Sequence, residues 1–204
     1  MDDLRAGNKC AAIVLAAGLS TRMGQPKLLL NWGGQTVLQT VLQTLHIAGI
    51  DHIIVVLGAN KEKIEESIRQ LAFFVETVFN PDFANGEMTD SIKVGLSVLT
   101  PEVSCVLIVL GDQPQMQVET VRKVMNARSN TAGKIIVPSY QFRRGHPWLV
   151  DRALFGELAQ LNPTFTMRDF LRKHHQEIFY LEVDTPSVLQ DLDTPEEYQA
   201  FRPE

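Results

Sequence analysis

The chain has 204 residues, 45% of them hydrophobic and 21% charged, with a formal net charge of -5. That length suits one large domain with its own core rather than two, and the acidic balance argues against a nucleic-acid or anionic-membrane surface. The opening residues, MDDLRAGNK, hold no apolar signal core, no run approaches the ~20 residues of a membrane span, and Cys10 and Cys105 are too few for a disulfide framework. A cytoplasmic protein with two buried thiols is the expectation.

The first predicted element is an apolar strand over 11–15. It breaks at Ala16-Ala17-Gly18 and runs through a small polar turn that presents Ser20, Arg22 and Lys27. A strand ending in a glycine turn exposes N–H groups to phosphate oxygens, because no Cβ stands in the way. Arg22 offers a planar fork and Lys27 a point charge, both suited to a polyphosphate. The segment is not a P-loop, since Gly24 is followed by Gln25-Pro26, and nothing like the dinucleotide turn G-x-G-x-x-G surrounds Gly18.

Helical spacing predicts helices over 37–48, 61–71, 91–99 and 118–128, alternating with apolar runs at 53–57, 73–78, 105–110 and 134–137. Such alternation predicts a single α/β domain: a mainly parallel central sheet with helices on both faces, Rossmann-like. The last third changes character. A loop rich in Arg and Pro (138–147) leads to a short run at 148–150, helices near 152–161 and 167–174, a strand over 177–183 and a helix near 195–201. No repeat or linker divides the chain.

In open parallel sheets ligands sit beyond the carboxyl ends of the strands, where several polar residues fall. Backbone groups of Leu15, Ala16 and Ala17, with Asn80 nearby, are candidates to line a base pocket, and a smaller pyrimidine would suit the Ala-Ala turn. Ser91 is read either as a binding hydroxyl or as an N-cap. Asp112 follows the strand 105–110, with Gly111 letting the chain turn. It is read either as a carboxylate for Mg²⁺, which takes hard oxygen ligands from protein and phosphate, or as a turn or capping residue. Asp191 and Asp193 precede Pro195, a good helix start. Arg143-Arg144-Gly145-His146-Pro147, on its residues alone, reads as a solvated loop. His174-His175 reads as a helix end, and the five histidines show no metal-ligand spacing.

The string at 13–27, IVLAAGLSTRMGQPK, resembles the signature LAAGxSxRMGxxK of the MobA-like nucleotidyltransferases. With the turn GDQP at 111–114 it is similar to their MocA-like branch, the molybdenum cofactor cytidylyltransferases. The resemblance implies a GT-A-type nucleotidyltransferase fold with a nucleotide-binding half over about 11–115 and an acceptor-binding half over about 116–204. It implies CTP, or another NTP, as donor and molybdopterin as acceptor, with a molybdenum hydroxylase apoenzyme as recipient of the product. It also implies Mg²⁺ (or Mn²⁺) held by Asp112 and by a carboxylate of the D-x-D-T-P turn, Asp193 favoured over Asp191 by position. Catalytic roles fall to Lys27, Arg22 and Asp112. Nucleotide contacts fall to Leu15, Ala16, Ala17, Gly18, Ser20, Arg22, Lys27, Asn80 and Ser91; acceptor contacts fall to Arg144, Gly145, His146, Pro147 and Arg168.

Two departures from the family pattern lie on the acceptor side. Glu87 stands where relatives have glycine, and NPTFTMR at 162–168 replaces a Gly-Asp-x-Gly-Ala-Arg loop. Transfer to a sugar or alditol phosphate, guanylyl transfer, and a non-catalytic cofactor carrier are the alternatives. Joint retention of Arg22, Lys27, Asp112 and Asp193 argues against a pure carrier, which has no need of a metal-triphosphate site.

Overall fold

A computed structural model describes residues 9–162 and 165–203. Residues 1–8 of the opening segment read above, and residues 163 and 164 of the departing loop, lie outside the described residues. In chain order the elements are β1 (Lys9–Ala16), a small hairpin of β2 (Asn31–Trp32) and β3 (Gln35–Thr36), α1 (Val37–Ala48), β4 (His52–Leu57), α2 (Lys61–Ile68), β5 (Glu76–Phe79), α3 (Met88–Ser97) and β6 (Val103–Leu110). They continue with α4 (Val118–Ala127), β7 (Ile135–Tyr140), β8 (Arg143–Arg144), β9 (Trp148–Asp151), α5 (Phe155–Ala159), α6 (Met167–Lys173), β10 (Ile178–Glu182) and α7 (Pro195–Phe201).

The main sheet has the order β10-β7-β9-β6-β1-β4-β5, with β8 paired to β7. Every neighbour in that order is parallel except β9, which runs antiparallel to both β6 and β7. β1 is central and Ala11, Ala12, Ile13 and Val14 are wholly buried. A strand covered on both faces has no polar side to show, so its sequence is a continuous apolar run. Its side chains alternate between two cores. Ala12 and Val14 pack in the cluster that holds residues of α1, α2, α4 and α7, while Ile13 packs with Ile92 of α3, Leu158 of α5 and Phe170 of α6.

The helix ends follow local chemistry. In α1, Thr36 and Gln39 form a reciprocal capping box, and Gly49 closes the helix at φ 99°. In α7, Thr194 caps ahead of Pro195 while Glu197 Oε2 accepts from Asp193 N and Thr194 N at 2.8 and 2.9 Å.

Several boundaries differ from the periodicity, each for a local reason. β5 starts at Glu76 rather than 73, because Phe73 leaves the strand line to stack on His46 at a centroid distance of 4.1 Å. Helix α3 begins at Met88, three residues before the predicted start, because Asp90 Oδ2 accepts from the Glu87 N–H and closes a first turn there. Ser91 therefore lies inside the helix and is no N-cap. The segment near 152–161 resolves into a 3-10 turn, Arg152–Leu154, and the short α5. Cys10 and Cys105 are register partners on β1 and β6; Cys105 is buried as expected but Cys10 only half-buried. Among the described residues, no helix is long and apolar enough to cross a membrane.

Candidate active site

β1 and β6 run side by side in parallel and end at the same edge of the sheet. The turns that leave them therefore face one cleft. Gly111 is what lets the second turn approach: a Cβ there would stand 2.9 Å from the Leu15 carbonyl oxygen, which the Gly111 N–H itself contacts at 3.1 Å. Asp112 comes next and points into the cleft. The N-cap of the following helix is Gln117, so Asp112 does not cap it.

The turn after β1 is held in an unusual form. Ser20 has φ 54° and Gly24 φ 65°, the left-handed region that costs a residue with a Cβ about 1 kcal/mol or more. In return the Ser20 hydroxyl accepts from the Lys27 backbone N–H at 3.4 Å and folds Lys27 back over the strand ends. Lys27 Nζ then lies 2.5 Å from Asp112 Oδ2 and 3.1 Å from Asp193 Oδ1, and Arg22 Nη1 lies 2.9 Å from Asp193 Oδ2. Burial pulls the Lys27 ammonium down, but Asp112 and Asp193 outweigh it and hold its pKa above the usual value. Burial raises Asp193, yet Lys27 and Arg22 outweigh it and keep that carboxyl below the usual range.

Asp191 takes another path. Gln113, a buried side chain, donates from Nε2 to Asp191 Oδ1 at 2.5 Å. Burial raises the Asp191 pKa, Gln113 opposes the rise, and the charges of Asp112 and Asp193 add to it.

The cleft beside this cluster has a volume of about 430 Å³, within the range of small-molecule sites. Its walls include Leu15, Ala16, Ala17, Gly18, Ser20, Arg22, Lys27, Asn80, Ser91, Asp112 and Asp193. Asn80 is buried; its side chain donates to Ser91 Oγ at 3.1 Å and accepts from Asp82 N at 3.0 Å, while its N–H reaches the Leu57 carbonyl. A second cleft of about 1060 Å³ adjoins the first and shares Glu87, Met88, Leu110 and Asp191 with it. Arg144, Gly145, His146 and Arg168 line this second cleft. Pro147 is buried behind it and is not among the lining residues. The His146 ring stacks on Trp148 with centroids 4.2 Å apart, and burial pushes its pKa down to about 4, so it is neutral at ordinary pH.

The second cleft is also lined by residues outside the sequence-derived acceptor set, Arg143, Arg172 and Trp148 among them. Arg143 stands beside Arg144 on the β7–β8 hairpin, Arg172 lies one turn beyond Arg168 on α6, and Trp148 backs His146. The spacing of Arg168 and Arg172 on a predicted helix was the available signal, since residues four apart share a face.

Two carboxylates converging on one ammonium make a donor set of hard oxygens that suits a divalent cation. Among the described residues no three His, Cys, Asp or Glu side chains gather around one point. Such an ion would complete its shell from phosphate oxygens and water.

A cleft at the carboxyl edge of a parallel sheet, with cations and paired carboxylates at its rim, defines an α/β protein built to handle phosphorylated nucleotides. A family model for the MobA-like NTP transferase domain matches residues 12–178, and the chain belongs to that family of nucleotidyltransferases. It is 30% identical over 186 residues to the molybdenum cofactor cytidylyltransferase of Escherichia coli (strain K12), covering 91% of this chain and 92% of that one. It is 28% identical over 199 residues to nicotine blue oxidoreductase of Paenarthrobacter nicotinovorans, with 91% and 92% covered. Among solved structures, Rv0371c from Mycobacterium tuberculosis H37Rv superposes with a TM-score of 0.81 at 30% identity over 95% of this chain and 97% of that one. The same mycobacterial protein is also solved in complex with manganese, with a TM-score of 0.77, 28% identity and 95% and 98% covered.

Proposed function

We propose that this chain transfers CMP from CTP to the phosphate of molybdopterin and releases pyrophosphate. The observation that carries the reading is the shared grip of Asp112 and Asp193 on Lys27, on the wall of the first cleft beside Leu110 and Asp191, which both clefts share. The similarity to a molybdenum cofactor cytidylyltransferase over nine-tenths of both chains supports the choice of substrates.

In this reading the first cleft takes the nucleotide. Backbone groups of Leu15, Ala16 and Ala17, with Asn80 and Ser91, hold the base and sugar, while Gly18, Ser20, Arg22 and Lys27 meet the β- and γ-phosphates. A Cβ at Gly18 would meet nothing within 4 Å, so the space above that turn is open to an incoming phosphate. Asp112 and Asp193 would hold Mg²⁺, which when bound neutralises charge on the α-phosphate. The second cleft takes the acceptor, with Arg144 and Arg168 meeting its anionic groups, His146 and Gly145 forming part of the wall, and Pro147 backing it from the interior.

The acceptor oxygen forms a bond to the α-phosphorus as the bond to the β-phosphate oxygen breaks. Two anions must approach each other, so the protein's contribution is orientation and charge compensation rather than a nucleophile. Lys27 and Arg22 take up the charge that grows on the departing pyrophosphate.

A second reading rests on Glu87. This residue lines both clefts, where the family has glycine, and an acidic residue in that place favours a different phosphorylated acceptor, such as a sugar or alditol phosphate. Pyrophosphate release, measured with each nucleoside triphosphate and with or without molybdopterin, separates the two. Turnover that needs CTP and molybdopterin together supports the first reading; strong turnover with CTP and a sugar phosphate selects the second.

A further inference from the structure

Lys27 is only 14% exposed, and its single nitrogen occupies the point on which Asp112 Oδ2 and Asp193 Oδ1 converge. An ammonium holds two carboxylates well, as a compact point charge with three donors. It does not share that point with a divalent cation. Like charges a few ångströms apart repel strongly in a part-buried site, and the two oxygens that converge there are already engaged by the nitrogen. The ammonium leaves only for another anion, and the cleft above it is where a triphosphate would supply one. Arg22 is anchored on the other oxygen of Asp193 at 2.9 Å, so the same phosphates would draw both cations off one carboxylate.

We infer that Lys27 guards the metal position, so that a divalent cation enters with the triphosphate and not before it. This rests on the reading of Asp112 and Asp193 as metal ligands given above. By linkage, whatever factor the nucleotide adds to metal affinity, the metal adds to nucleotide affinity. CMP, which lacks the β- and γ-phosphates, would not release the guard.

The test is Mn²⁺ binding followed by electron paramagnetic resonance, without turnover. Lys27→Met should bind Mn²⁺ alone about 5–150-fold more tightly than the wild type, the span of ordinary coupling between sites. Asp112→Asn placed in the same background should remove the gain. Lys27→Gln serves where the methionine variant does not fold. Wild-type affinity for Mn²⁺ should rise with α,β-methylene-CTP and stay level with CMP. Mn²⁺ bound no more tightly by either Lys27 variant overturns the inference. If Asp112→Asn still abolishes Mn²⁺ in the wild-type complex with α,β-methylene-CTP, the metal reading survives that failure. If Asp112→Asn leaves that Mn²⁺ in place, the metal reading itself falls, and the guard with it.

Discussion

The backbone N–H of Leu192 donates to the carbonyl oxygen of Asp112 at 3.3 Å. This one bond ties the turn after β6 to the turn before α7, across 80 residues of chain. Leu192 is wholly buried, so the link is anchored in the core. The spacing of Asp112 and Asp193 is thereby set by the fold, whatever cation lies between them.

Removing that cation tests the catalytic reading. Lys27→Ala should lower kcat/KM by about 10²–10³, the usual cost of one well-aimed charge-stabilising group. The circular dichroism spectrum should not change. Steady-state pyrophosphate release measures the first quantity, and near-normal turnover removes Lys27 from the mechanism.

A second cluster makes stability depend on pH. His174, at the end of α6, contacts Glu177 Oε2 at 2.5 Å through Nδ1 and Glu157 Oε1 at 3.0 Å through Nε2. Burial draws the His174 pKa down, but the two glutamates outweigh it and raise it above 6.5. Its stabilisation is present in full below 6.5 and fades as pH rises through the raised folded value. Glu157 is lowered below 4.5 by Lys173 and His174, and Glu177 by Lys134 and His174. Their contribution is present above 4.5 and fades as pH falls through the depressed values. The difference in Tm between wild type and His174→Gln should therefore be largest between pH 4.5 and 6.5. A difference that keeps growing towards alkaline pH contradicts the assignment.

Gly145 sits against the backbone of Val188, and a Cβ there would lie 2.4 Å from the Val188 carbonyl oxygen and 2.6 Å from its Cβ. Backbone atoms cannot swing aside as a side-chain tip can. Gly145→Ala should cost about 1–3 kcal/mol, as overpacking does. It should also raise the KM for the acceptor while leaving nucleotide affinity unchanged. Chemical denaturation and two-substrate kinetics check the two halves separately.

Asn80 tests the first cleft. Asn80→Ala would leave the Asp82 N–H without the acceptor it now has and Ser91 Oγ without its donor. Ser91 is buried, and loss of a partner for a buried polar group costs about 1–3 kcal/mol. Nucleotide affinity, read by calorimetry, should fall with stability; unchanged binding would move the base pocket away from Asn80.

Much of this arrangement was legible before any coordinates. The alternation of apolar runs with amphipathic spacing gave the sheet and its helices because β1, β4 and β6 are buried on both faces, where sequence pattern and environment coincide. Edge β5 and the two-residue strands were less legible: half-buried residues such as Glu76 carry no continuous apolar run, and Phe73, though apolar, packs on His46 instead. Residues 15–27 and Asp112 could be picked out because they follow strands, and Asp193 because its turn resembles the family's D-x-D-T-P. Their mutual contacts could not, since Lys27 and Asp193 are 166 positions apart. The reversal of β9 was invisible as well, because direction within a sheet leaves no mark on a four-residue apolar run.

That reversal has a consequence for adaptation. Trp148, at the start of β9, pairs with Ile108 of β6, so the chain arrives at the working edge of the sheet from outside the parallel framework. The loop it arrives by, and the hairpin before it, hang from this seam rather than from β1 and β6, whose turns carry Lys27 and Asp112. Changes in the exposed tip of that hairpin would leave the parallel strands beside it, and the ion pairs at their ends, in register.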